Sequence, residues 1–221
     1  TVQATPVQNG YQVTLDLPES APTIDGVLNS GEWNSSGSCD ITYPGKSGTV
    51  TMYVMNDDNY LYLAVDDPTD TNLDNSDGIG LFFDEDLDRA WPSSADGTEG
   101  MMRIYYNNGN ITVSFSGFYN IWPQESSQNW SSASGVEAAI SALSGHLQYE
   151  VRFDLSTSPI NPSGLTVGWS LYIWEGGSSS FTALWPQELV NKLKGIWANY
   201  IWAHGPFSYG DLIFTDEQPA Q

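Results

Sequence analysis

The chain is 221 residues long, with 40% apolar side chains and 9 Trp, 12 Tyr and 8 Phe. That is enough to bury one sizeable core, and it excludes a disordered acidic tail. Twenty-seven acidic against six basic side chains give a net charge of −21, which excludes a phosphate backbone as partner and disfavours an anionic membrane surface. No run of 18 apolar residues is present to span a bilayer. Low charge density with abundant Ser, Thr, Asn, Gly and aromatics points to a secreted, extracellular protein. Such a protein binds uncharged polar ligands or divalent cations. The start at Thr1, with neither Met nor a basic and apolar leader, fits that expectation. Cys39 is alone, so an internal disulfide framework is excluded. Sequons at Asn34, Asn110 and Asn129 match the number expected by chance and argue little.

In chain order, residues 1–12 fall outside the core pattern and read as an N-terminal arm or an extra edge strand. A core domain is expected over 13–214, followed by a polar tail over 215–221. Val13, Leu15 and Leu17 alternate with polar residues; so do Val50, Met52 and Val54, and again Leu61, Leu63 and Val65. Asn56-Asp57-Asp58-Asn59 between the last two runs is turn chemistry and predicts a hairpin. A second hairpin is expected from Met101–Tyr106, the turn Asn107-Asn108-Gly109-Asn110, and then Ile111, Val113 and Phe115. Val136 to Leu143 is rich in Ala, yet it alternates and runs into Ser144-Gly145, so it reads as a strand. Leu147 to Leu155 and Leu165 to Ile173 are the clearest period-2 strands. One short helix is expected near 186–195, where Pro186 and Glu188 open the segment and Lys192, Lys194 and Gly195 close it. The fold class is therefore all-β: a single antiparallel β-sandwich of roughly ten strands, jelly-roll or immunoglobulin-like.

Pro22-Thr23-Ile24-Asp25-Gly26 with Glu32-Trp33, Val50–Val54, Asn59–Val65 with Asp67-Pro68, Ser76–Asp84, Tyr149–Phe153 and Tyr209–Phe214 follow one another in order. This ordered set resembles the family 9 carbohydrate-binding modules and their DOMON-like relatives. The resemblance implies a secreted sandwich without catalysis of its own. Members bind sugar chain ends, hold calcium structurally or, in some DOMON-like branches, bind haem b. It also implies a clamp of two exposed Trp rings, since stacking suits the apolar C–H faces of a sugar. Trp202 stands near the place of one ring. The loop Asn72–Ser76, where the other is expected, holds no aromatic residue. Trp91, Trp122, Trp174, Trp185 and Trp197 are the substitutes, of which Trp174, Trp185 and Trp91 join Trp202 as the candidate sugar site. Asp25 is expected to act locally in a turn, and Trp33 to plug one end of the sandwich.

Residues 56–99 hold 13 of the acidic side chains and a single basic one, Arg89. Hard cations such as Ca²⁺ take six to eight oxygen ligands. Asp66, Asp67, Asp70, Asp74 and Asp77, with Asn72, form one candidate metal cluster; Asp84, Asp86 and Asp88 form another. Neither is an EF-hand, because Asn75 and Arg89 stand where that loop requires Gly. Calcium is the expected cofactor. Haem b, with Met101 or Met102, His146, His204, Lys192 or Lys194 as ligands, ranks well below it. Two His on unrelated segments, and the absence of a Gly-x-Ser-x-Gly elbow, argue against an enzyme. The ranked expectation is glycan binding, then an extracellular filament or surface layer built from copies of the chain by strand exchange through the N-terminal arm.

Overall fold

The computed structural model describes residues 12–14, 18, 20–34, 36–42, 48–88, 90–94, 99–119, 126–127, 131–160, 166–176, 181–185 and 210–214. The segment 186–195 lies outside them, and the described residues contain no helix, so the expected short helix is not borne out. The elements are β1 (Gln12–Thr14), β2 (Gly37–Thr42), β3 (Thr49–Asn56), β4 (Tyr60–Asp67), β5 (Gly78–Asp84), β6 (Gly100–Asn107) and β7 (Asn110–Tyr119). They continue with β8 (Ser126–Ser127), β9 (Ser131–Ser132), β10 (Val136–Ser141), β11 (Leu147–Asp154), β12 (Thr166–Trp174), β13 (Phe181–Trp185) and β14 (Gly210–Ile213).

Two sheets form. The smaller has the order β10-β11-β4-β3-β2 and is antiparallel throughout. The larger runs β1-β14-β12-β5-β6-β7-β8, with β13 beside β12 and β9 beside β7. It is antiparallel except at its edge, where β1 pairs parallel with β14 through Gln12, Val13 and Thr14. Both expected hairpins are present, β3–β4 and β6–β7. Asn108 and Gly109 at the second tip both have positive φ (49° and 89°), the twist that a two-residue hairpin turn needs. The ambiguous Ala-rich segment is a strand, β10, with Ile140 turned inward.

The alternating residues of both sheets meet in one core. Met52, Val54, Leu63, Val65, Val151 and Phe153 from the smaller sheet pack on Ile79, Leu81, Phe83, Met102, Ile104, Trp169 and Leu171 from the larger. Phe153 and Trp169 meet edge to face across the seam at 6.5 Å. Each outer face also carries a lid of its own. On the larger sheet, Phe82 is fully buried beneath Phe118 and Tyr172, and Trp91 sits edge-on to Phe118 at 5.2 Å. On the smaller sheet, Trp33 packs with Met55, Tyr62 and Ala64. Trp33 thus covers an outer sheet face and does not plug an end of the sandwich. Cys39 is half-buried in β2, and burial, reinforced by Asp40, pushes its thiol up to about 12, so it stays protonated and unreactive.

Glu150 holds the second lid. It is fully buried on the outer side of β11. Its Oε2 accepts the backbone N–H groups of Asp25 (3.0 Å) and Gly26 (2.8 Å), and its Oε1 accepts the Trp33 indole N–H (3.0 Å). Gln148 adds a bond from the Leu28 N–H, and the Ser141 hydroxyl donates to the Gly26 carbonyl at 2.6 Å. Gly26, at φ 84°, approaches β10 so closely that a Cβ would lie 3.2 Å from Ile140 and Ser141 backbone atoms. Glu150→Ala would strand several buried donors at once, each costing about 1–3 kcal/mol. Urea unfolding followed by Trp emission should show a loss of about 3 kcal/mol or more, with Glu150→Gln losing less.

Candidate functional site

The two loops that bracket β5 carry most of the acid, and they use it differently. At the start of β5, Asp77 is fully buried. Its carboxylate accepts the N–H groups of Asp74 and Gly176, fastening the loop before β5 to the loop after β12. Asn75 and Asn108 exchange two hydrogen bonds (2.9 and 2.8 Å), tying the same loop to the β6–β7 hairpin. Asp67 binds the Thr69 N–H and hydroxyl (3.0 and 2.7 Å), and Asp70 binds the Asn72 N–H (3.1 Å). These are local turn contacts. Burial first, and then neighbouring carboxylates (Asp77, Glu175 and Asp67 for Asp70; Asp74 and Glu175 for Asp77), push both acids above the usual carboxylate range against the pull of the backbone N–H groups. Asp66 does not join this group. It lies on the outer face of the smaller sheet, its Oδ1 2.6 Å from His146 Nε2 and 2.8 Å from Gln148 Nε2.

At the end of β5 the arrangement converges. Carboxylate oxygens of Asp84, Asp86, Asp88 and Glu99 all lie within 4.8 Å of one another. Asp84 and Glu99 are buried, whereas Asp86 and Asp88 are exposed. Two consecutive turns bend this loop, with the Asp86 carboxylate accepting the Asp88 N–H (3.1 Å) and Asp88 that of Ala90 (2.7 Å). Leu87 sits at φ 59°, a left-handed conformation that disfavours a bulky side chain and that folds the chain back on itself. Glu99 escaped the sequence reading. The signal was available in the register: Phe83 pairs with Gly100 in the β5–β6 ladder, so the residues just beyond each strand end are neighbours. Four hard oxygen donors without a cation repel one another, and their chemistry suits a Ca²⁺-type ion rather than a softer metal.

The expected sugar residues fall in three places. Trp91 is 6% exposed and belongs to the lid over Phe82. Trp174 ends β12 in register with Gly78, and Trp185 ends β13 in register with Leu171. Trp202 lies outside the described residues. The described haem candidates lie apart from one another. Met102 is in the core between the sheets, Met101 is on the other side of β6 against the Tyr172 hydroxyl (3.8 Å), and His146 is engaged by Asp66 on the opposite sheet. His204, Lys192 and Lys194 lie outside the described residues.

The outer face of the larger sheet also carries a row that sequence reasoning missed. Thr112, Tyr105, Gly78 and Trp174 are successive register partners across β7, β6, β5 and β12. In the next row stand Ser114, Arg103, Gly80 and Tyr172. With Gly at 78 and 80, β5 has no side chain on this face there. The Tyr172 ring occupies the space over Gly80, where a Cβ would lie 1.8 Å from it. Arg103 lies 5.5 Å from the Tyr105 ring centroid, and both side chains are half-buried.

No protein-family model and no curated protein matches the chain. Among solved structures it is similar to a family 9 carbohydrate-binding module from Caldicellulosiruptor kristjanssonii in complex with cellotriose. That match has 18% identity and a TM-score of 0.60, over 94% of this chain and 95% of the other. It is also similar to a family 9 module from the same organism in complex with glucose, at 21% identity and a TM-score of 0.56, over 95% of this chain and 98% of the other. The fold is therefore that of a family 9 carbohydrate-binding module.

Asp70, Asp77 and Glu150 all bind a proton more readily folded than unfolded. Their contribution to stability is complete below the ordinary carboxylate range and is lost as pH rises through the raised values. Asp154, held low by Ser156, works in the opposite sense, but only below that range. In chelator, the thermal midpoint should be higher at about pH 4.5 than at pH 7. Asp70→Asn should flatten that difference in a calorimetric pH series.

Proposed function

We propose that the protein is a non-catalytic, extracellular glycan-binding module. The supporting observation is the likeness of the whole sandwich to two modules solved with cellotriose and with glucose. The row across the outer face of the larger sheet is the proposed sugar site. Tyr105, half-buried on this face beside Gly78, supplies an aromatic ring for stacking. Arg103 beside Tyr105 offers a fork of N–H donors to sugar hydroxyls. A β-1,4-linked glucose oligomer is the first ligand to test. Adding cellotriose should shift Trp emission, with an affinity measurable by calorimetry. Tyr105→Ala and Arg103→Ala should each weaken binding roughly tenfold, about 1.4 kcal/mol, with the fold unchanged. Silence of the wild-type protein across soluble glucans would remove the proposal.

The convergent set Asp84, Asp86, Asp88 and Glu99 is the proposed calcium site, supported by its four hard donors and by the left-handed Leu87 that brings them together. A bound ion would neutralise the loop and pin Trp91 over Phe82. Saturating calcium should raise the melting temperature above its value in chelator, since it binds the folded chain alone. Replacing both exposed ligands, Asp86→Asn with Asp88→Asn, should remove that increment. Among the described residues the N-terminal strand pairs with its own chain's β14, and nothing there favours the filament alternative over glycan binding.

A further inference from the structure

The tip of the β6–β7 hairpin sets a chemically labile pair against the loop before β5. Gly follows Asn twice in the chain, at Asn9 and at Asn108. Asn108 and Gly109 form the two-residue turn beyond the ladder, which ends with the pair Asn107 and Asn110. Both are exposed. Apart from the adjoining residues, no atom lies within 4 Å of the place that a Gly109 Cβ would take, so this peptide is open to water. A glycine nitrogen has no side chain to hinder its approach to the carboxamide of the preceding Asn. The two groups are already held in one molecule, at the spacing of a five-membered ring.

A clasp stands against that reaction. Asn108 Oδ1 accepts the Asn75 Nδ2–H at 2.9 Å, and Asn108 Nδ2 donates to Asn107 Oδ1 at 3.0 Å, so both ends of the carboxamide are engaged. The Asn108 backbone N–H donates to Asn75 Oδ1 at 2.8 Å. Ring closure makes the carboxamide carbon tetrahedral and expels its nitrogen, so these side-chain bonds must be given up. The ring is nearly planar, which also requires the peptide after Asn108 to rotate out of the tight turn. Closure therefore needs the hairpin tip and the clasp to open together. Asn75 in turn belongs to a loop fixed to several elements. The Ser76 N–H donates to the Tyr106 carbonyl (2.8 Å), and the Asp70 carbonyl accepts the Leu147 N–H (2.8 Å). The Asp77 carboxylate takes the N–H of Gly176.

We propose that Asn108 is a site of spontaneous covalent modification, gated by its clasp with Asn75, and that its conversion irreversibly loosens the loop before β5. The Gly109 nitrogen bonds to Asn108 Cγ. The Cγ–Nδ2 bond breaks, and Nδ2 leaves as ammonia with the proton that the Gly109 nitrogen gives up. One water then opens the succinimide. Addition at Cγ yields the aspartyl chain; addition at the main-chain carbonyl yields the isoaspartyl chain, whose backbone is one carbon longer. The net change is one water in and one ammonia out. Either product has a carboxylate that no longer donates to Asn107, and it adds charge beside a loop that already holds Asp70, Asp74 and Asp77. The longer isoaspartyl backbone also displaces the N–H that Asn75 accepts.

Folded protein, protein in guanidinium chloride, and the folded variants Asn75→Ala and Asn75→Asp are incubated at mildly alkaline pH over weeks. Peptide mapping by mass spectrometry follows the amide-to-acid change, with Asn9-Gly10 as the clock in each sample. Thermal midpoints confirm that the variants are folded. Relative to Asn9, conversion of Asn108 in the folded wild type should be measurable but at least fivefold slower than in guanidinium chloride. Asn75→Ala should speed it threefold or more. Asn75→Asp, which keeps the acceptor for the Asn108 N–H and removes only the donor to Oδ1, should speed it as well. In the isolated isoaspartyl form, amides of residues 70–77 should exchange with solvent faster than in unmodified protein. Equal rates in the wild type and both folded variants overturn the gating. No conversion at Asn108 in any folded sample while Asn9 converts overturns the site itself. Unchanged exchange over residues 70–77 overturns the loosening.

Discussion

Strand β5 is buried on both faces over its whole length, yet it begins beside one carboxylate and ends in another. That constraint organises the larger sheet. The inner side of β5 supplies Ile79, Leu81 and Phe83 to the seam. Its outer side cannot face water either, because Phe82 needs a cover and Gly78 and Gly80 leave room for neighbours to close in. The loop after β5 must therefore return across the sheet to bring Trp91 against Phe118. In doing so it turns sharply at Leu87, and the carboxylates of Asp84, Asp86 and Asp88 come to face Glu99. The acidic cluster is thus tied to how a doubly buried strand acquires its second cover.

The chain has few cations to answer its acids, and the structure shows what answers them instead. Asp25, Asp57, Asp67, Asp70 and Asp154 each accept a backbone N–H two residues ahead. Asp77 and Glu150 do the same over long sequence separations and join whole segments. Charge-assisted bonds from backbone amides stabilise a carboxylate without a counter-ion. They leave the net charge of the molecule uncorrected, which is why its surface field remains strongly negative.

The period-2 strands were legible because each has one wet or lid-facing side and one seam-facing side. β2 was not: in Gly37–Thr42 the alternation rests on Cys39 and Ile41 alone, among Gly, Ser, Asp and Thr. Trp33 and Trp91 were misread as a plug and a platform, because a sequence shows that an aromatic must be covered but not what covers it. The acids taught the reverse lesson. Asp66 and Asp67 are adjacent in sequence, yet they point to opposite faces of β4; one meets His146 across β11 and the other closes its own turn. Glu99 stands eleven residues beyond Asp88 and still joins it, because strand pairing and not proximity along the chain sets the neighbours. The glycines at 78 and 80 were visible as letters. Their meaning, room for the Tyr172 ring over Gly80 and for the close approach of Tyr105 to Gly78, needed the register.

The parallel ladder between β1 and β14 joins residues 12–14 to 211–213 across nearly the whole span of the sandwich. Such a contact recovers little energy for the loop entropy it closes, so it forms after both sheets are in place. A ribosome would release β12 and hold it at an open edge until β14 emerged, and β1 would wait longer still. An edge that closes late is held by few contacts, so the amides of this corner should exchange ahead of those in the central strands.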